Sequence, residues 1–166
     1  GGMQICDRDQ DGLPVAVSRI ARDPFDPLFD VDGFSEMLTK RSIEVKKGLL
    51  DQHLISGIGN IYADECLWRV GLDGRTPCNR LDRSTAVEIV TTVTRVMREA
   101  LDVGGTSFDA LYVNVNGESG YFSRSLAVYG REGRPCDRCG DPITRSKFMN
   151  RSSFHCTTCQ SPWSLP

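Results

Sequence analysis

The sequence has 166 residues, with 20 Lys and Arg against 22 Asp and Glu, so its formal net charge is −2. Apolar residues make up 39% and charged residues 25%, which is ordinary for a globular protein. The length suits one or two small domains and excludes a large multidomain enzyme. No apolar run approaches the roughly 20 residues of a membrane helix and no secretion signal is evident, so we expect no membrane partner.

Charge is distributed unevenly along the chain. Residues 1–32 carry 3 basic and 7 acidic side chains, whereas residues 124–166 carry 7 basic and 3 acidic ones. The basic C-terminal quarter permits contact with a polyanion through one end of the molecule. The slightly acidic total argues against a protein that coats nucleic acid without selection.

The first segment, residues 1–32, is rich in Asp, Pro and Gly and predicts a tether, with a tag remnant at residues 1–2. The patterning after it is helical, and short helices are predicted at about 34–41, 43–51 and 61–70. Gly71 is the expected C-cap of the last of these.

The clearest helix follows Asp82, a good N-cap, and is expected to end at Gly104–Gly105. Its apolar residues recur with a 4-3-4-3 spacing, which draws one stripe down the helix and predicts a core face. The stripe consists of Ala86, Val90, Val93, Met97 and Ala100.

Four of the seven cysteines form two CxxC pairs separated by 16 residues: Cys136, Cys139, Cys156 and Cys159. Two such pairs joined by a hairpin supply the four thiolates that Zn²⁺ prefers, and they leave no open position for water. We therefore predict one structural zinc ion in a reducing compartment. The alternative is a redox CxxC pair, but the thioredoxin-like strand and helix that usually surround it are absent.

The segment between the cysteine pairs alternates enough to predict a β-hairpin with Asn150–Arg151 at or near its turn. Arg145, Lys147 and Arg151 would then cluster on a rigid basic finger held by the metal. The alternative is a solvated charged surface without a binding role.

A glycine-rich turn precedes one predicted helix, with Gly57 and Gly59 followed by Asn60. We expect Asn60 at the N-cap of that helix. The free amides and positive dipole end of a helix start form an anion site, which a DNA phosphate could occupy. The alternative is that Asn60 only caps its own helix.

Three segments in this order, residues 46–65, 104–122 and 128–160, closely resemble the C-terminal half of the formamidopyrimidine-DNA glycosylases. This is the bacterial Fpg/Nei family of base-excision repair enzymes, which act on oxidised bases. The resemblance implies a mainly α fold, with a helix-two-turn-helix DNA-binding domain over residues 33–128. A small β-hairpin zinc finger over residues 129–166 is expected to follow it.

The resemblance also implies a partner, a location and a set of DNA-binding residues. The partner is double-stranded DNA, damaged or abasic, in the nucleoid of the bacterial cytoplasm. In the family, a turn asparagine and a finger arginine contact phosphates at the lesion, and these positions correspond to Asn60 and Arg151. We include Gly59 and Lys147 beside them, and Tyr121 corresponds to a family position near the DNA backbone.

The catalytic residues of the family are not found in this sequence. Family members attack with the amine of an N-terminal proline, assisted by the adjacent glutamate, but the 166 residues contain no Pro-Glu pair. Residues 106–116 correspond to the loop that folds over the extruded base. We therefore expect no catalytic residue and a non-catalytic DNA-binding module, with a repair protein as a further candidate partner.

The alternative is an active glycosylase or AP lyase with a substitute amine, either Lys46, Lys47 or the amino terminus. A lysine amine is mostly protonated near neutral pH unless it is desolvated. The sequence does not predict such desolvation.

Overall fold

The computed structural model describes residues 20–102 and 125–160. Residues 1–19 of the predicted tether, the helix end at Gly104–Gly105, the loop at 106–116 and Tyr121 lie outside this part. The helices are α1 (Val31–Thr39), α2 (Val45–Leu49), α3 (Asn60–Val70) and α4 (Arg83–Asp102), with a 3₁₀ turn at Cys78–Arg80. Strands β1 (Thr144–Phe148) and β2 (Arg151–His155) form an antiparallel hairpin. The predicted fold class is confirmed.

The short helices occur where the sequence predicts them, with shifted ends. Helix α1 begins early because the carboxylate of Asp30 accepts a hydrogen bond from the N–H of Gly33 at 2.9 Å and caps it. Helix α2 ends at Leu49, before the predicted limit, because the chain turns there. Helix α3 ends as predicted, with Gly71 in the left-handed region at φ 77°. None of the helices described is long and apolar enough to span a membrane.

The apolar stripe of α4 is core, as predicted. Its five residues are at most 7% exposed, and they face the other helices of the bundle. The side chain of Asp82 caps the helix by accepting a hydrogen bond from the N–H of Thr85 at 2.7 Å. Burial of such a stripe supplies most of the stability of a helix in water.

Residues 50–59 make two turns between α2 and α3. Leu54, Ile55 and Ile58 of this segment are buried in the helical core, so the turns are packed rather than loose. Gly57 has φ 80°, a conformation that side-chain-bearing residues rarely adopt. The N–H of Gly57 donates to the side chain of Gln52 at 3.0 Å, which closes the turn.

A buried ion pair joins the helices to the finger hairpin. Nζ of Lys46 lies 2.5 Å from Oδ1 of Asp64, and these side chains are 1% and 2% exposed. Lys46 also donates to Oγ of Ser153 at 2.7 Å, and Oδ2 of Asp64 accepts from the N–H of Phe154 at 2.9 Å. Burial lowers the pKa of Lys46 and raises the pKa of Asp64, while the partner's charge opposes each shift.

The next carboxylate of α3 holds the segment that leads into the finger. Oε2 of Glu65 accepts a hydrogen bond from the N–H of Ala127, and Oε1 accepts from those of Val128 and Tyr129, all at 2.9 Å. Glu65 is fully buried. A buried carboxylate is tolerated when several N–H groups satisfy it, so this contact fixes the path of the chain.

A third contact joins the first cysteine pair to the end of α3. Arg138 lies between Cys136 and Cys139, and its guanidinium donates to the carbonyls of Trp68 at 2.7 Å and Arg69 at 2.8 Å. The same group stacks over the Trp68 ring at 4.1 Å from the centroid. Carbonyls in the last turn of a helix have no helical partner, so a cation satisfies them well.

Replacing Asp64 with Ala should destabilise the protein by about 3–5 kcal/mol, because it leaves the ammonium group of Lys46 buried without a counter-charge. Urea unfolding would measure the loss. The matched control is Glu36→Ala, which breaks the exposed Lys40–Glu36 pair and should cost far less, because solvent screens exposed ion pairs. If Asp64→Ala and Glu36→Ala lower the free energy of unfolding by the same small amount, the Lys46–Asp64 pair does not stabilise the fold as described.

Candidate metal centre and nucleic-acid interface

The four predicted cysteine ligands form one cluster. The sulfur atoms of Cys136, Cys139, Cys156 and Cys159 all lie within 4.8 Å of one another. The Cys136–Cys159 sulfurs are 3.8 Å apart, and the Cys139–Cys156 sulfurs are 3.4 Å apart. A tetrahedral zinc site with Zn–S bonds of about 2.3 Å requires sulfur separations of about 3.8 Å. The cluster therefore fits a zinc ion in both ligand type and spacing.

The ionisation of these thiols also favours a bound cation. Burial opposes ionisation of Cys136, but the N–H groups of Arg138 and Cys139 and the Trp68 indole outweigh it and lower the pKa to about 6. Burial and the neighbouring sulfurs raise the pKa of Cys159 to about 12. Thiols this close cannot all ionise together unless a positive charge compensates them.

The structure corrects the predicted position of Asn60. Gly59 is the N-cap of α3, and Asn60 is the first helical residue. Nδ2 of Asn60 donates to the carbonyl of Ser152 at 2.8 Å, and its Oδ1 is buried without a partner. The side chain lies against the finger instead of capping its own helix, because the buried pairs described above dock the hairpin there.

Ser152 therefore joins the two predicted binding elements. It follows Arg151, which begins β2 and is exposed, and it pairs across the hairpin with Lys147. The hairpin turn is formed by Met149 and Asn150, as the sequence predicted to within one residue. Four of the five predicted DNA-binding residues, those other than Tyr121, thus lie around one backbone position: Gly59, Asn60, Lys147 and Arg151.

The sequence does not predict a desolvated lysine, but the structure shows one at Lys46. Its side chain is 1% exposed, and burial lowers its pKa. The amine is nevertheless enclosed by Asp64 and Ser153, so it has no open path to a ligand. Lys47, the next residue, is exposed on α2.

Sequence reasoning missed the residues that position this site. Lys46, Asp64 and Glu65 lie within one of the three recognised segments, yet charged residues are usually exposed and local patterning does not show that these point inward. Arg138 lies inside a cysteine pair, where its contact with the end of α3 could be found only from the fold.

Residues 20–111 match the family described as the formamidopyrimidine-DNA glycosylase H2TH domain. The chain is 56% identical over 162 residues to formamidopyrimidine-DNA glycosylase of Streptomyces coelicolor, covering 98% of this chain and 57% of that protein. It is 59% identical over 149 residues to that of Thermobifida fusca, covering 90% of this chain and 50% of the relative. The chain thus spans about half the length of these relatives.

Solved structures agree with the sequence comparison. The MutM (Fpg) protein of Thermus thermophilus matches with a TM-score of 0.79 and 37% identity, over 86% of this chain and 54% of that one. Lactococcus lactis Fpg, solved as a complex with DNA containing an abasic site, matches with a TM-score of 0.79 and 32% identity, over 87% and 52%. The matched H2TH domain, the shared fold and the clustered cysteines agree: the chain belongs to the formamidopyrimidine-DNA glycosylase family.

Proposed function

We propose that this chain binds the backbone of double-stranded DNA, damaged or abasic, in the repair of oxidised bases. The binding surface consists of Gly59 and Asn60 at the start of α3 and Lys147 and Arg151 on the hairpin. The hydrogen bond from Asn60 to the carbonyl of Ser152 carries the proposal, because it holds the turn beside the finger arginine. One strand could then contact a helix start and a guanidinium together.

The start of α3 is accessible to a phosphate group. Nothing lies within 4 Å of the position that a Cβ atom would occupy at Gly59, so a ligand can approach the backbone closely. The first N–H groups of a helix have no helical partner and favour an anion. A side chain at Gly59 would obstruct this approach.

The hairpin supplies the positive charge. Lys147 and Arg151 are exposed and line one cleft of about 520 Å³. Neither side chain forms an ion pair within the described residues. Solved relatives support the assignment, since Lactococcus lactis Fpg was solved with DNA containing an abasic site. Tyr121, outside the described part, remains a further predicted contact.

One zinc ion, held by Cys136, Cys139, Cys156 and Cys159, is part of the proposal. When bound, it would stabilise a hairpin that has too small a core to fold alone. With four protein ligands it would be structural and would not activate water.

We further propose that these 166 residues do not cleave DNA by themselves. They contain no Pro-Glu pair, and Lys46, the lysine that burial desolvates, is enclosed by Asp64 and Ser153. A repair protein that supplies the amine nucleophile is a candidate partner in this proposal. The proposed location is the nucleoid of a bacterial cell.

The salt dependence of DNA affinity distinguishes the role of Arg151 from that of Asn60. Arg151→Ala should reduce the magnitude of the slope of log affinity against log salt by about 0.9, because one phosphate is no longer neutralised. Asn60→Ala should weaken binding without changing the slope, because the amide is neutral. Fluorescence anisotropy with a short duplex between about 50 and 200 mM salt would measure both.

The controls are Arg151→Lys, which keeps the charge, and Arg95→Ala, which removes an exposed cation from a different cleft on α4. Both should retain the parental slope, and thermal melting would confirm that every variant is folded. If Arg151→Ala and Asn60→Ala bind like the parent, the proposed surface is wrong.

For the metal, we expect one zinc per chain by elemental analysis and loss of that zinc in Cys139→Ser. The matched control is Cys78→Ala, a buried cysteine outside the cluster, which should keep one zinc. Chelation should release the finger and leave most of the helical circular dichroism, because α1–α4 have their own core. Full metal content in Cys139→Ser would contradict the assignment.

Borohydride trapping on abasic DNA tests the non-catalytic proposal. No covalent adduct should form, because the trapped Schiff base requires an accessible deprotonated amine. An adduct that disappears in Lys46→Ala or Lys47→Ala would show that the chain has lyase chemistry of its own.

A further inference from the structure

A second basic groove lies on the other side of Arg151, between α2 and the tip of the hairpin. We infer that it binds the next phosphate of the same DNA strand, with Lys47 as the residue that contacts it. The inference rests on the proposed function, because it extends the strand beyond Arg151. Its ligand is a phosphodiester with its attached deoxyribose.

The groove has about 350 Å³ of open space and a mixed lining. Three cations border it, Arg41, Lys47 and Arg151, with one carboxylate, Asp51. Apolar side chains also line it, including Met149 at the hairpin tip, which is 55% exposed.

The charges of the groove are not all available to a ligand. Nη1 of Arg41 lies 2.9 Å from Oδ2 of Asp51, and Oδ1 of that carboxylate accepts from the N–H of His53 at 3.0 Å. Asp51 is thus neutralised within the protein. Lys47 and Arg151 form no ion pair within residues 20–102 and 125–160, so the positive charge of both remains for a ligand.

The position of Arg151 makes a DNA strand the best fit. Arg151 lines both this groove and the cleft shared with Lys147, so a strand held at Arg151 continues into the groove. The combination of cations with the exposed apolar surface of Met149 matches a sugar-phosphate chain, whose deoxyribose has an apolar face. An inorganic anion would use the cations alone.

The docking of the finger also explains why this groove exists. Lys46, adjacent to Lys47, is fixed by Asp64 and Ser153 and lies 5.0 Å from the centroid of the Phe148 ring. Lys46 therefore points into the interface with the hairpin, while Lys47 stays exposed at its edge. The buried contacts of Lys46 hold α2 against the hairpin, and the groove lies at the edge of that interface.

The experiment compares Lys47→Ala, Lys47→Gln and Lys47→Arg in the full chain with the same short duplex. Loss of one phosphate contact should reduce the magnitude of the slope of log affinity against log salt by about 0.9. If variant and parent bind equally at 1 M salt, the variant should therefore bind about eightfold more weakly than the parent at 0.1 M. Both Lys47→Ala and Lys47→Gln should show this effect, and Lys47→Arg should not. Arg95→Ala is again the control for an exposed cation elsewhere.

The outcomes separate this inference from the proposed function. If Arg151→Ala weakens binding while folded Lys47→Ala and Lys47→Gln keep the parental affinity and slope, the second phosphate site is wrong and the DNA surface stands. If Arg151→Ala also binds like the parent, both fail. A loss in Lys47→Ala that Lys47→Arg does not restore would also overturn the inference, because a phosphate contact requires only the charge.

Discussion

Two adjacent buried carboxylates on α3 determine how the parts of this protein fit together. Asp64 binds Lys46 and the N–H of Phe154, and Glu65 binds three successive N–H groups that begin at Ala127. Both are buried, so hydrogen bonds from the C-terminal segment stabilise the docked arrangement by satisfying them. The finger is therefore held against the helices by specific polar contacts and not only by apolar packing.

This docking brings the glycine-rich turn and the basic hairpin together, and the proposed DNA surface consists of both. A glycine-rich turn before a helix and a basic hairpin are each common, and neither alone specifies a ligand. Once Asp64 holds β2, the side chain of Asn60 contacts the carbonyl of Ser152, so the turn lies next to the strand that begins with Arg151. The net charge of −2 then matters little, because local positive charge is concentrated where the proposed DNA surface lies.

Much of this fold could be predicted from sequence, because periodicity and spacing report local structure. The α4 stripe, the Gly71 cap and the cysteine cluster all follow from patterns within short segments. The position of Asn60 could not be predicted, since its partner is 92 residues away in the chain. Burial of Lys46 was missed for the same reason: its partners come from α3 and β2, and only tertiary packing brings them together.

We propose that Asn60 and Arg151 act on DNA as one unit, because the finger is docked on the turn. A double-mutant cycle on DNA affinity tests it most directly, with Asn60→Ala, Arg151→Ala and the combined variant measured at one salt concentration. Our account predicts a coupling free energy of about 0.5 kcal/mol or more, as found for residues that share a partner network. Effects that add to within about 0.3 kcal/mol would contradict it, because independent sites behave that way.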